Sequence, residues 1–237
     1  MIRVPRVAAR LLATDLACLG HEVAAAVRSG ADSVHVDVMD PDCGPHGAVC
    51  PRVCRALKRV TRAPLEVHLL VKPTERLVAA FAGAGANVLA FHPETSDDVG
   101  RTVAAVKGHG CEAGLALAAG TPLEVLEGLL DEIDLVLVTR AAPGLDGERF
   151  MPSALRWIRT LRERISARGS HVAVSVDGGV DLDNAADLLD AGADTLVVET
   201  ALCRSNDRAA TIAALKGAAP WRARRVAPRT QARHLAT

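Results

Sequence analysis

Val34-His35-Val36-Asp37-Val38-Met39-Asp40 alternates apolar and polar residues, and His35 and Asp37 stand two positions apart in it. Successive side chains on a strand point to opposite faces, so the run reads as a strand that aims an imidazole and a carboxylate into one space. A histidine beside a carboxylate on a rigid strand is the start of a metal site. A buried, mutually satisfied His-Asp pair is the plainer reading of the same residues. The choice turns on whether the rest of the chain brings further ligands to that place.

Short runs rich in Val and Leu recur on both sides of this stretch. They predict strands at 7–13, 33–38, 65–70, 88–91, 112–117, 135–138, 172–176 and 195–198. Amphipathic helical stretches are predicted at 20–29, 74–82, 97–108, 122–130, 153–167, 182–191 and 208–217. The runs Gly83-Ala84-Gly85-Ala86-Asn87 and Ala191-Gly192-Ala193-Asp194 each close one helix and open the next strand. Alternating strand and helix units in 237 residues point to an α/β fold, a closed (β/α)8 TIM barrel rather than an open doubly wound sheet. No Gly-x-Gly-x-x-Gly follows the first strand, which argues against a dinucleotide-binding sheet. In a barrel, the C-terminal strand ends converge on one mouth, and chemistry sits there.

Composition bounds what that mouth serves. The chain is 49% apolar and has no compositional break, so one barrel domain is expected over 1–218, with a basic tail over 219–237. Tyr is absent and aromatics make up 2%, which leaves no stacking platform for single-stranded nucleic acid. The 28 basic and 28 acidic residues cancel, so nothing draws the chain as a whole to nucleic acid or to an anionic membrane. No apolar run is long enough to span a bilayer. The tail carries Arg222, Arg224, Arg225, Arg229 and Arg233 without an acid, and reads as a flexible arm or a contact within a homo-oligomer. The six cysteines form no secreted framework, and a reducing cytoplasm is expected. His46, Cys50 and Cys54 fall four apart, but without a fourth ligand they read as unpaired thiols beside a histidine.

Strand ends supply the missing ligands. His35 and Asp37 lie on the second strand, His68 at the third and Asp177 at the seventh. Two imidazoles and two carboxylates suit Zn²⁺ first, with Mn²⁺, Fe²⁺ or Co²⁺ as alternatives, and burying these groups unpaired would be costly.

These residues sit in motifs that resemble the ribulose-phosphate 3-epimerase family from about residue 7 to 206. The motifs are His35-Val-Asp37-Val-Met39-Asp40, Val67-His68-Leu69, Phe91-His92-Pro-Glu94, Gly114-Leu-Ala-Leu117, Pro143-Gly144 and Val176-Asp177-Gly178-Gly179-Val180. The resemblance implies one divalent metal on His35, Asp37, His68 and Asp177. It also implies Asp37 and Asp177 as an acid/base pair that removes a proton beside a ketone and returns it to the opposite face. The chemistry agrees: a metal on the substrate oxygens stabilises a cis-enediolate, and two carboxylates on opposite sides of a planar intermediate allow inversion. His68 and Met39 are expected to touch the sugar.

The phosphate end departs from the family pattern. Gly178 and Gly179 are kept, but the Gly-Ser expected after the eighth strand is Glu199-Thr200. The loop after the sixth strand reads Pro143-Gly144-Leu145-Asp146-Gly147-Glu148 in place of a Gly-Phe-Gly-Gly-Gln pattern. The substrate-touching serine of the first strand is Arg10, and Arg140 ends the sixth. In one account Arg10 or Arg140 pairs with Glu199 and a sugar phosphate still binds. In the other, favoured by two acid-ward changes, the distal pocket takes something other than a terminal phosphate. Epimerisation of a ketose or ketose phosphate is the expected activity. The alternatives are an aldolase, decarboxylase or isomerase step on the same site, or a metal-bearing barrel without catalysis.

Overall fold

The computed structural model describes residues 4–11, 15–39, 49–72, 74–139 and 152–217. Eight strands, β1 (Arg6–Arg10), β2 (Ser33–Met39), β3 (Leu65–Leu70), β4 (Val88–Phe91), β5 (Glu112–Ala118), β6 (Leu135–Thr139), β7 (Ala173–Asp177) and β8 (Thr195–Val198), pair in parallel and in chain order. β8 pairs back onto β1 and closes the barrel. The helices outside are α1 (Leu19–Arg28), α2 (Pro51–Val60), α3 (Glu75–Ala82), α4 (Val99–Gly108), α5 (Pro152–Ala167), α6 (Ala185–Ala191), α7 (Thr200–Cys203) and α8 (Arg208–Gly217). Among the described residues no helix is long and apolar enough to cross a membrane. The tail from 218 onward and His46 lie outside the described residues, while Cys50 and Cys54 are free thiols, the first exposed and the second buried.

One expectation is corrected, and one helix was not foreseen. The helix expected at 122–130 is only a 3-10 turn, Leu123–Leu126, and Gly128 follows at φ 78°, a left-handed conformation that cannot continue a helix. Conversely, α2 was not among the expected helices, although Val53, Cys54, Leu57 and Val60 recur in it at helical spacing among arginines and a lysine. Pro51 starts it, supplying a preset φ where no N–H partner is needed.

The strands divide the core by parity. Val34, Val36 and Val38 of β2, with Val67, Leu69, Leu115, Val136, Val174 and Leu196, join one large cluster with the helices. Ala8, Ala90, Ala116, Leu137 and Val197 form a separate small cluster in the barrel interior. Small inward residues leave room above them for polar groups. Gly114 shows how tight the interior is, since a Cβ there would come within 3.1 Å of the Ala90 Cβ.

The closed end repeats one device around the ring. Asp32, Asn87, Asp134 and Asp194 each stand directly before an even-numbered strand. Their side chains accept from the backbone N–H of Val7 (2.7 Å), Leu65 (2.9 Å), Ala113 (2.9 Å) and Val174 (2.8 Å), at the start of the preceding odd strand. A basic side chain from a helix clamps each: Lys216, Lys58, Lys107 and Arg162 in turn. Three of these four acceptors are carboxylates, and hydrogen bonds to charged acceptors are the stronger kind, so this end reads as the stabilising face, leaving the other for chemistry.

Candidate metal centre

Because the even residues of β2 pack outward, His35, Asp37 and Met39 point into the barrel and toward its mouth. Register then gathers the rest: Arg10 pairs with His35, and Asp37 with His68. Asp177 ends β7, on the other side of β1 and β8 from β2, so it faces Asp37 across the mouth. His35, Asp37, His68 and Asp177 are all buried, and one donor atom from each lies within 4.8 Å of the others.

Asp37 Oδ1 is the focus. It stands 3.0 Å from His68 Nδ1 and 3.3 Å from His35 Nε2. The second oxygen, Oδ2, turns instead to Arg10, whose Nε is 2.7 Å away. Arg10 Nη1 donates to Asp177 Oδ1 at 3.4 Å, and its Nε is 3.7 Å from Glu199 Oε2. One guanidinium thus touches three carboxylates.

The donor set fits a divalent ion. His35 is 2% exposed, yet neither of its ring nitrogens has an aligned hydrogen-bond partner. Buried nitrogens without partners are costly, and a cation on Nε2 would satisfy one of them. Asp37 Oδ2 and Arg10 Nε likewise approach as charges without hydrogen-bond alignment. Two imidazoles and two carboxylates form a set that first-row divalent ions accept.

Electrostatics follow from the same contacts. Burial opposes the His35 imidazolium, but Asp37 and Glu66 outweigh it and raise its pKa to about 10. Burial also opposes the Asp37 carboxylate, and His35, His68 and Arg10 overcome it, holding the carboxyl well below its usual range. For Arg10, burial is outweighed by Asp177, Asp37 and Glu199, which raise its pKa. His92 goes the other way: burial and the neighbouring His68 push it down to about 4.

The expected substrate contacts are placed in part. Gly178 and Gly179 follow β7 at φ 104° and 69°, a conformation that side-chain-bearing residues rarely adopt. Asn184 Nδ2 donates to the Gly179 carbonyl at 2.7 Å and holds that turn. Glu199 and Thr200 stand at the start of α7, where Glu199 makes no side-chain cap to the helix. Arg140, Gly144, Leu145, Asp146 and Gly147 lie outside the described residues. Two residues at the site had been given no role. Glu66 lies two before His68 on the same strand face, and His92 follows β4, its Nε2 3.1 Å from His68 Nε2.

The sequence pattern of the ribulose-phosphate 3-epimerase family matches residues 6–203. The chain belongs to that family. It is 44% identical over 209 residues to ribulose-phosphate 3-epimerase 1 of Cupriavidus necator, covering 86% of this chain and 87% of that one. Against the ribulose-phosphate 3-epimerase of Escherichia coli K12 it is 41% identical over 197 residues, 83% of this chain and 88% of the other. Among solved structures, tryptophan synthase from Mycobacterium tuberculosis matches with a TM-score of 0.68 at 20% identity, covering 91% of this chain and 92% of that one. That likeness shows the fold alone. As a ribulose-phosphate 3-epimerase family member the protein is an isomerase, and its buried His35, Asp37, His68 and Asp177 could hold one metal ion.

Proposed function

We propose that the protein interconverts a ribulose phosphate and its C3 epimer, with one divalent ion, zinc first, on His35, Asp37, His68 and Asp177. The observation that carries this reading is the convergence of those four buried side chains to within 4.8 Å in a chain of this family. A bound divalent ion would polarise the substrate carbonyl and offset the charge of the enediolate. Asp37 and Asp177 face each other across the mouth, so one takes the proton from C3 and the other delivers a proton to the opposite face. For the other epimer their roles exchange. Met39 on the inner face of β2 supplies an apolar cover, and the Gly178-Gly179 turn offers backbone N–H groups to the distal end of the substrate. Arg140, Gly144, Leu145, Asp146 and Gly147, outside the described residues, remain proposed substrate contacts on the sequence pattern alone.

Arg10, 3.7 Å from Glu199, supports the account in which the added acid is balanced and a phosphate still binds. A second reading rests on Glu199 itself, because a carboxylate at the start of α7 disfavours a dianion and suits an unphosphorylated ketose. The same reading takes the enzyme to be cytoplasmic and a homo-oligomer; light scattering on the purified protein tests the assembly. The deciding experiment follows deuterium from solvent into C3 of ribulose phosphate and of free ketoses, with zinc present. Exchange into the phosphate is expected, and Asp177→Asn should slow it by about 10²–10⁴-fold. Exchange into free ketoses alone selects the second reading; none in any ketose ends both.

A further inference from the structure

Both imidazoles of the metal-facing set have a second ring nitrogen, and a residue outside that set stands behind each. His68 Nδ1 faces Asp37 Oδ1 at 3.0 Å, while its Nε2 lies 3.1 Å from Nε2 of His92. His35 is turned the other way round. Its Nε2 faces Asp37 Oδ1 at 3.3 Å, and its Nδ1 is 3.6 Å from Glu66 Oε2.

Neither of the two outer residues is loosely held. Ser33 Oγ donates to Glu66 Oε1 at 2.5 Å, and Glu66 pairs in register with His35. The His92 carbonyl accepts from Thr95 Oγ1 at 2.8 Å, and the Thr95 carbonyl accepts from the Thr74 N–H at 3.1 Å. His92 is therefore tied to the chain segments before α3 and after β4.

Two ring nitrogens 3.1 Å apart share one proton, so one donates and the other accepts. With Nδ1 of His68 aimed at the focus of the donor set, the proton of its neutral ring belongs on Nε2. His92 Nε2 must then accept, and His92 carries its own proton on Nδ1. For His35 the nitrogens exchange: Nε2 is the ligand atom, and Nδ1 faces the Glu66 carboxylate at 3.6 Å, an electrostatic approach longer than a hydrogen bond that favours the proton on that nitrogen. Partners of this kind fix the tautomer and ring orientation of a metal-binding histidine.

We propose that His92 and Glu66 are positioning residues of this centre, each holding one histidine in the tautomer and rotation that present the correct nitrogen to a metal ion. The proposal rests on the metal reading above, and its test separates the two. Zinc-loaded, ¹⁵N-labelled protein is examined by long-range proton–nitrogen correlation of the imidazoles. His68 is expected as the Nε2–H tautomer, and His92 and His35 as Nδ1–H; the opposite tautomer at His68 or His35 overturns the assignment for that ring. In parallel, zinc affinity is measured against a chromophoric chelator. His92→Leu and Glu66→Gln should each weaken it by about 10–100-fold. His92→Gln, whose amide oxygen reaches the position of Nε2, should stay within about threefold of the parent. A parent that takes up no zinc refutes the metal reading. A parent that binds zinc while a folded His92→Leu binds it equally well refutes the positioning role. Where His92→Leu does not fold, the tautomers of the parent decide.

Discussion

Replacing Arg10 with serine should move stability and metal affinity in opposite directions. The guanidinium lies 2.7 Å from Asp37, 3.4 Å from Asp177 and 3.7 Å from Glu199. A single such pair attracts by at most about 4–6 kcal/mol at an effective dielectric near 20, and the desolvation of Arg10 offsets part of that. Breaking a buried pair by deleting one partner costs about 3–5 kcal/mol, because the charge left behind is uncompensated. Arg10 is 22% exposed, so screening reduces this to about 2–4 kcal/mol for the chelator-treated protein. In a domain of this size that lowers Tm on the order of 10 °C.

Metal binding should respond with the opposite sign. A unit positive charge repels a divalent ion by about 1.4 kcal/mol at roughly 6 Å even in the dielectric of water, a factor of about ten. Since Arg10 contacts two members of the donor set, Arg10→Ser should tighten zinc binding about tenfold or more. The assay is paired: thermal unfolding with chelator present, and zinc affinity by competition. Zinc affinity that is unchanged or weaker would show that Arg10 supports the ion rather than opposing it. An unchanged Tm in chelator would show that the three contacts carry no net energy.

Three further outcomes follow from the frame. Glu75 accepts from Ser96, Asp97 and Thr102, and although burial opposes its charge these bonds lower its pKa from 4.5 to about 2. Its contribution is therefore whole above about pH 4.5 and lost as pH falls toward 2; Glu75→Gln should cost a few tenths to about 1 kcal/mol in urea unfolding at neutral pH and nothing near pH 2. Asp194→Ala removes the acceptor for the Val174 N–H and the partner of Arg162, and should lose about 2–4 kcal/mol in the same assay without changing zinc affinity. Gly114→Ala, with its new Cβ 3.1 Å from Ala90, should cost about 1–3 kcal/mol, read as a lower Tm.

Strands were legible wherever burial on both faces left an unbroken run of Val and Leu. β3, β4 and β8 fall at the expected residues because nothing but a strand suits so short an apolar run between Gly, Pro and Asp. α2 was missed although its signal is present: Val53, Cys54, Leu57 and Val60 recur at helical spacing among arginines and a lysine, and Cys54 and Leu57 are the buried ones. The metal set could be read because strand periodicity places His35 and Asp37 together and a closed ring brings strand ends to one mouth. Glu66 was within reach of the same rule, two residues before His68. His92 was not, because its role depends on where β4 lies beside β3 and on which nitrogen of His68 is left over. Asp32, Asn87, Asp134 and Asp194 look like loop residues in the chain; their hydrogen bonds run to the strand before, which no local pattern records.

Charge balance links the two departures at the distal end. Asp37 and Asp177 carry two negative charges and would neutralise one divalent ion. Glu199 adds a third, and Arg10 adds the positive charge that offsets it, with Nε between Asp37 and Glu199. The pair leaves the net charge of the loaded centre unchanged, so neither residue is understood alone. A serine at position 10 beside an intact Glu199 leaves a surplus acid facing the substrate, and Arg10 without Glu199 leaves a surplus cation against the metal. A phosphate bound beside α7 would therefore meet Arg10 and Glu199 as one balanced pair, because the guanidinium that lies on the aspartates also stands 3.7 Å from Glu199.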